Sequence, residues 1–356
     1  MKRTRVLIVD DSAIVRRLLE DCLRGETDIE VVGTAPDPFV ARDKILRLEP
    51  DVVTLDIEMP RMDGLSFLKR IMRYHPLPVI IISSLGQASS RIAIEAMRQG
   101  AVDVLAKPGG PYSVGDLRES LAAKIRAAAG ARVRAEARRS DVERSTTRGA
   151  TAPLTIAGSA GPPRVFAVGS STGGTQALEV VLTELPADFP PILVAQHIPP
   201  VFSASFARRL DEVCQMHVQE AADGMRLAPG NIYIAPGDYH TLLRGPKEAW
   251  RLEVKSGPKV SYQRPSVDVL FESVAKAAGN RATGVILTGM GSDGARGMRS
   301  MRDAGAHTIA QDEHSCVVFG MPREAIAQGG VVEVLPLHRI ATAMAASCTE
   351  CRKRSA

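Results

Sequence analysis

Val165-Phe166-Ala167-Val168-Gly169-Ser170-Ser171-Thr172-Gly173-Gly174 changes character halfway along its length. The first four residues form an apolar run that reads as a buried strand. The small residues after it permit a sharp turn, and a helical segment follows from Thr175. Within the turn, Gly169-x-Ser171-x-Gly173 has the spacing of a nucleophile elbow. In such an elbow a serine sits on a tight strand-to-helix turn, and flanking glycines let the backbone crowd in without a Cβ clash. The spacing alone also fits a Gly-rich phosphate turn at a helix N-terminus, or a tight turn with no chemistry.

Downstream the β-α rhythm continues. Residues 192–195, 285–287 and 307–310 read as further strands, and helices are expected over 175–184, 202–212, 266–278, 295–304 and 322–327. Between Met216 and Lys259 the pattern changes, and residues 231–235 and 250–254 read as strands of an inserted antiparallel piece. The expectation is a mainly parallel, doubly wound sheet.

Three of its strand ends carry polar residues: Ser171, then Gln196-His197-Ile198-Pro199-Pro200, then Thr288-Gly289-Met290-Gly291-Ser292-Asp293-Gly294. If the three strands are parallel neighbours, Ser171, His197 and Asp293 converge on one edge. That set supplies a nucleophile, a general base and an orienting carboxylate. A serine needs the base because free alkoxide is negligible at neutral pH. Glycines around Met290 allow backbone N–H groups to face an oxyanion. Singly, a strand-end His is usually structural and Asp293 would be an N-cap. The coincidence at three strand ends is what points to chemistry. The order Ser, His, Asp differs from that of α/β-hydrolases, where the acid precedes the histidine, so the elbow spacing does not import that fold.

The first 125 residues repeat the rhythm five times. Val6-Leu7-Ile8-Val9 ends in Asp10-Asp11, Val52-Val53-Thr54-Leu55 in Asp56, Val79-Ile80-Ile81-Ile82 in Ser83, and the run from Val102 to Leu105 leads to Lys107-Pro108. A second parallel sheet with helices on both faces is expected, with its chemistry at the C-terminal strand ends. Clustered carboxylates there favour a hard divalent cation such as Mg²⁺. A metal beside a carboxylate and a lysine is a site for phosphoryl transfer onto that carboxylate.

The 356 residues suit two domains, and the composition is that of an ordinary globular chain. The net charge of +5 resides in residues 124–148, which hold eight basic and three acidic side chains, leaving 37 of each elsewhere. Neither expected sheet domain therefore carries a basic surplus for nucleic acid, and no recognition helix is evident. From 126 to 163 the chain is Ala/Arg-rich, then Ser/Thr/Gly/Pro-rich, and reads as a basic linker. No apolar run reaches the ~18 residues of a membrane span, and the run after the basic start is too short for a signal peptide, so a cytoplasmic protein without direct membrane insertion is expected. Cysteines 22, 214, 316, 348 and 351 are too dispersed for a disulfide framework, and Cys348-x-x-Cys351 lacks a second pair for zinc.

The acidic pair, Asp56 within Leu-Asp-Ile-Glu-Met-Pro-x-Met-Asp-Gly, Ser83 and Lys107-Pro108 together resemble a two-component receiver domain over residues 1–125. The resemblance implies a flavodoxin-like five-stranded fold in which Asp56 accepts phosphate from a chemotaxis histidine kinase. It implies that Asp10, Asp11, Asp56 and the Glu58 backbone carbonyl place Mg²⁺, with Ser83 and Lys107 on the phosphoryl oxygens. The position three before the lysine, aromatic in many receivers, is Val104.

Residues 164–350 closely resemble the catalytic domain of the chemotaxis protein-glutamate methylesterase (CheB) family. The resemblance lies in Gly-Ser-Ser-Thr-Gly-Gly at 169–174, Gln-His-Ile-Pro-Pro at 196–200, Arg-Pro-Ser-Val-Asp at 264–268 and Leu-Thr-Gly-Met-Gly-Ser-Asp-Gly at 287–294. It implies a Rossmann-like domain that hydrolyses glutamyl methyl esters on methyl-accepting chemoreceptors to glutamate and methanol, and deamidates receptor glutamines, without a cofactor for the hydrolysis. The family's triad falls on Ser171, His197 and Asp293, its oxyanion donor on the Met290 backbone, with Thr172 assisting. The whole chain then reads as a phosphorylation-activated esterase. The competing readings are a non-catalytic receptor-binding adaptor and a DNA-binding regulator. Intact Ser171, His197 and Asp293 argue against the first and the charge balance against the second.

Overall fold

The computed structural model describes residues 3–59, 62–107, 114–133, 164–247 and 249–350. Most of the expected linker, with Pro108 and Cys351, lies outside the described residues. The chain divides into two compact units, Met1–Ala150 and Thr151–Ala356.

In the first unit β1 (Thr4–Val9), β2 (Ile29–Ala35), β3 (Val52–Asp56), β4 (Val79–Ser83) and β5 (Asp103–Ala106) form one sheet in the order β2-β1-β3-β4-β5. Every pairing is parallel. The strands alternate with α1 (Ala13–Leu23), α2 (Pro38–Leu48), α3 (Gly64–Tyr74), α4 (Gln87–Arg98) and α5 (Val114–Ala129). All residues of β3, β4 and β5 are buried, because helices cover both faces of the sheet. Helix starts are set locally. Asp37 accepts from the Phe39 and Val40 N–H groups ahead of Pro38, and Asp63 from Ser66 N–H, satisfying donors that lack helical partners. Helix α5 continues to Ala129, past the expected domain end at 125.

The second unit holds seven parallel strands in the order β14-β13-β12-β6-β7-β9-β8. They are β6 (Val165–Ser170), β7 (Ile192–Gln196), β8 (His217–Glu220), β9 (Asn231–Ile234), β12 (Ala282–Ile286), β13 (His307–Gln311) and β14 (Glu333–Leu335). A separate antiparallel pair is made by β10 (His240–Arg244) and β11 (Arg251–Lys255). The helices are α6 (Gly174–Thr183), α7 (Phe202–Val213), α8 (Val267–Ala278), α9 (Ala295–Asp303), α10 (Met321–Ala327) and α11 (Leu337–Glu350). The core runs from β6 and β12 through α8 and α9, with Val165, Ala167, Val267, Phe271, Ile286 and Met298 fully buried.

One expectation needs correction. Residues 231–234 belong to the parallel sheet, between β7 and β8, and not to the antiparallel insertion. Ile232, Tyr233 and Ile234 are all buried, which requires cover on both faces. The antiparallel partner of β11 is instead His240–Arg244. Strands β8 and β14 went unread because they are short sheet edges with weak apolar signal, His217-Val-Gln-Glu and Glu333-Val-Leu. Among the described residues Cys22 and Cys316 are buried, and burial pushes the Cys214 thiol up to about 12 and the Cys348 thiol up to about 11. No helix among the described residues is long and apolar enough to cross a membrane.

Candidate active site and phosphoacceptor cluster

The turn after β6 is built by close approach. Gly173 has φ +76°, and a Cβ there would sit 2.6 Å from Val317 Cβ. A Cβ on Gly174 would run into the Gln196 carboxamide. That carboxamide is itself a clamp: Ser170 Oγ donates to its Oε1 at 2.6 Å, and its Nε2 donates to Ser171 O at 2.9 Å. Ser171 N–H donates to Thr288 O across the strand boundary at 3.0 Å. The serine is thereby fixed at the C-terminal end of β6, beside the N-terminus of α6.

Register then sets the neighbours. Ser170 pairs with Gln196, so Ser171 and His197 leave adjacent strands side by side, and His197 N–H donates to Ser170 O at 3.1 Å. On the other flank Gly169 pairs with Ile286 of β12. The direction of winding reverses at β6, the position where open α/β sheets place ligand sites. His197 Nε2 and Asp293 Oδ2 are 2.8 Å apart, with both side chains almost fully buried. His197 Nδ1 is buried and has no hydrogen-bond partner among the described residues. With Nε2–H given to the carboxylate, Nδ1 keeps a lone pair, the form a general base needs.

Asp293 does not cap the helix that follows it. Its carboxylate accepts from Val267 N–H at 2.7 Å, Asp268 N–H at 3.0 Å and Ser266 Oγ–H at 2.8 Å, all at the start of α8. Burial pushes the Asp293 carboxyl up. The His197 ring and the backbone donors outweigh this and hold it below the usual carboxylate range.

Met290 follows two fixed peptides. Gly289 O accepts from Gly320 and Met321 N–H groups at 3.0 and 2.8 Å, and Gly289 N–H donates to Val318 O at 3.0 Å. A Cβ on Gly289 would meet Ser171 Cβ at 2.7 Å, so only glycine lets this loop lie against the serine turn. The Met290 N–H has no hydrogen-bond partner among the described residues, and the residue is 37% exposed. Thr172 is buried, and its carbonyl accepts from Thr288 Oγ1 at 3.0 Å. Gln196, Ser266 and Asp268 are site-building residues that the sequence alone left without a role. The signal for Ser266 was present, since a serine ahead of an apolar helical run is an N-cap. Arg264 turns inward, with Nε 2.9 Å from Asp238 Oδ1 and a further bond to Gly257 O.

In the first unit the strand ends bring together Asp10, Asp11, Asp56 and Lys107. Lys107 Nζ lies 2.7 Å from Asp56 Oδ2 and 3.2 Å from Asp10 Oδ2. One oxygen from each of the three aspartates lies within 4.8 Å of the others. Asp10 Oδ2 is buried without an aligned hydrogen bond, and burial raises both the Asp10 and the Asp56 carboxyls despite the lysine. A hard cation fits this donor set: it would take the unsatisfied oxygen and offset the surplus negative charge. Glu58 N–H donates to Asp56 Oδ1 at 3.0 Å, and the Glu58 carboxylate is engaged by the hydroxyls of Ser84 and Ser89. Ser83 ends β4, fully buried, and its hydroxyl makes long contacts to Ser84 O and Ser89 O at 3.4 and 3.5 Å.

Two doubly wound sheets, one with an acidic phosphoacceptor-type cluster and one with a Ser-His-Asp constellation, define a receiver-linked hydrolase architecture. Comparison with known proteins places it further. Residues 166–344 match the CheB methylesterase family and residues 6–119 the response regulator receiver domain. The chain is 53% identical over 341 residues to the protein-glutamate methylesterase/protein-glutamine glutaminase 2 of Syntrophus aciditrophicus, covering 96% of this chain and 98% of that one. It is 49% identical over 352 residues to the protein of the same activities from Salmonella typhimurium, covering 97% of each. The crystal structure of the Thermotoga maritima CheB methylesterase catalytic domain is similar with TM-score 0.51 and 39% identity, over 52% of this chain and 98% of that one. The chain belongs to the CheB methylesterase family.

Proposed function

We propose that the chain is a phosphorylation-activated protein-glutamate methylesterase and protein-glutamine glutaminase acting in chemosensory adaptation. The proposed boundaries are a receiver over 1–125, a linker over 126–163 and a catalytic domain over 164–350. The observation that carries the hydrolase reading is the buried His197 beside the serine turn, bonded through Nε2 to Asp293 and with no partner for Nδ1 among the described residues.

In this reading Ser171 Oγ attacks the carbonyl carbon of a receptor glutamyl methyl ester while His197 Nδ1 takes the hydroxyl proton. The negative oxygen of the tetrahedral intermediate turns to the Met290 N–H, with Thr172 assisting. Collapse breaks the bond to methoxide, which leaves as methanol with the proton from His197. Water then attacks the acyl-serine, again deprotonated by His197, and releases glutamate and free Ser171. With a glutamine substrate the leaving group is ammonia and the product is the same. Asp293 holds the ring tautomer and stabilises its cation.

In the receiver, Asp56 would accept a phosphoryl group from a chemotaxis histidine kinase, with Ser83 and Lys107 on its oxygens. Asp10, Asp11, Asp56 and the Glu58 carbonyl would hold Mg²⁺, which supplies charge neutralisation at the acceptor. The partners are methyl-accepting chemoreceptors as substrate and that kinase as phosphodonor, in the cytoplasm. The test is methanol release from methylated chemoreceptor membranes, with and without a small-molecule phosphodonor and Mg²⁺. Release that needs Ser171 and rises with phosphodonor supports both halves. A folded protein that releases none from several receptor preparations overturns the hydrolase reading.

A further inference from the structure

The N-termini of α8 and α9 exchange caps. Asp293, ahead of α9, accepts from Val267 and Asp268 at the start of α8. Asp268, in the first turn of α8, accepts through Oδ1 from Gly294 N–H at 3.0 Å and Gly297 N–H at 2.7 Å at the start of α9. The helices meet closely here, since a Cβ on Gly297 would lie 2.6 Å from Phe271 Cβ. Ser266 adds a third tie. Its Oγ accepts from Val269 N–H at 3.3 Å, so its single proton is free for Asp293 Oδ1 at 2.8 Å. Its own N–H is held by His240 Nδ1 at 3.2 Å, and His240 Nε2 is held by Pro258 O at 3.0 Å.

Asp293 is therefore saturated. Oδ1 takes Ser266 Oγ–H and Asp268 N–H, while Oδ2 takes Val267 N–H and His197 Nε2–H. Four donors on two oxygens leave the carboxylate no rotational freedom. An ordinary N-cap needs one acceptor supplied by its own residue, and Ser266 already provides it for α8. The crossed pair of aspartates does more. It ties the Gly291–Gly294 loop, with φ +91° and +94° at its two end glycines, to a packed helix, so that the carboxylate meets the imidazole at one angle.

We propose that Ser266 and Asp268 are positioning residues for Asp293, forming with it a crossed helix cap that aims the carboxylate at His197 Nε2. The proposal rests on the hydrolase reading above. A carboxylate free to swing would hold His197 less firmly and lower kcat with little change in KM, because substrate binding does not use it.

The test uses the full chain with ¹⁵N-histidine labelling, methanol release and the downfield ¹H resonance of His197 Nε2–H. Asp268→Ala and Ser266→Ala are expected to lower kcat about 10- to 100-fold, the scale of a small misplacement of a catalytic group, with KM within about 2-fold. The resonance should move upfield or broaden. Asp268→Asn keeps an acceptor oxygen and Ser266→Thr a hydroxyl, so both should restore the resonance and most of the turnover. Folded alanine variants with native kcat and an unmoved resonance would overturn the proposal. So would losses that the conservative variants fail to rescue. If Asp268→Ala does not fold, Ser266→Ala decides. Ser171→Ala runs alongside: it should abolish turnover and leave the resonance in place. Turnover that survives in Ser171→Ala sinks the hydrolase reading itself, a result separable from the others.

Discussion

The receiver and the hydrolase units set their aspartates at the same kind of place, the C-terminal edge of a parallel sheet near its switch point, and treat the charge in opposite ways. Asp56 and Asp10 are buried with one lysine between them, and burial wins, raising both carboxyls. Asp293 is buried as deeply, but its two oxygens receive four hydrogen bonds and it is held below the usual range. The first edge is left short of positive charge, which suits a site that must take up a cation and then a phosphoryl group. The second is complete within itself, which suits a group that must stay ionised while another residue does the proton transfer. In the proposed roles one topology thus serves an acceptor and an orienter, and the difference lies in how many donors face each carboxylate.

Ser171→Ala should separate the two units most sharply. Turnover is expected to fall by at least ~10⁴, as loss of a nucleophile does, while phosphorylation of Asp56 by a small-molecule donor, read by intact mass, proceeds as before. Near-native methanol release would move the nucleophile elsewhere. Next is Gly289→Ala. The added methyl would press on Ser171 Cβ and Met321 Sδ, so either the serine turn or the Met290 loop must shift. A displacement of that size is expected to cost about 10²-fold in kcat. An alanine variant with native rates would show that the loop gives way at no catalytic cost.

Asp56→Asn sharpens the other half. It should remove phosphodonor stimulation while leaving unstimulated hydrolysis near native. It should also raise the Tm of the receiver transition, because it takes away a charge that burial disfavours. Stimulation that persists would place the switch at another residue.

The smallest effect is in the acid titration, and there the two aspartates should differ in sign. For Asp56 the folded-state pKa is raised above its unfolded value of about 3.9, so the ionised group costs stability, and that cost fades as pH falls through the folded pKa. For Asp293 the folded pKa is lowered, so its contribution is present above the unfolded value and is lost only as pH falls through the folded one. Calorimetry from pH 7 to 3 should show the Asp56→Asn difference shrinking before that of Asp293→Asn. The reverse order would contradict the contrast between the two edges.

Much of this was readable from the chain. Continuous apolar runs such as 79–82 and 165–168, short and closed by turn residues, read as strands covered on both faces, and each ends in a polar residue at the edge that carries the candidate site. The clustering of Asp10, Asp56 and Lys107 follows directly from the parallel order of their strands. Other features were not local. Residues 231–234 carry the same apolar signal whether paired with β7 or with β11, and only packing selects the partner. The role of Asp268 depends on Gly294 and Gly297, some 26 and 29 positions away, and no periodicity reports a cap that crosses between helices. Gln196 sits next to a residue of obvious chemistry, yet its clamp on the serine turn appears only once β6 and β7 are side by side.

The buried thiols have a practical corollary. A thiol is alkylated as thiolate, so cysteines that are enclosed in the folded chain react when the chain around them opens. Cys22 lies enclosed in the receiver, whereas Cys316 directly precedes Val317, the residue packed on Gly173 at the serine turn. The rate at which each takes up a maleimide is therefore a stopwatch for breathing of its own unit. A phosphodonor that quickens labelling at Cys316 but not at Cys22 would time the arrival of the signal at the serine turn without any receptor in the tube.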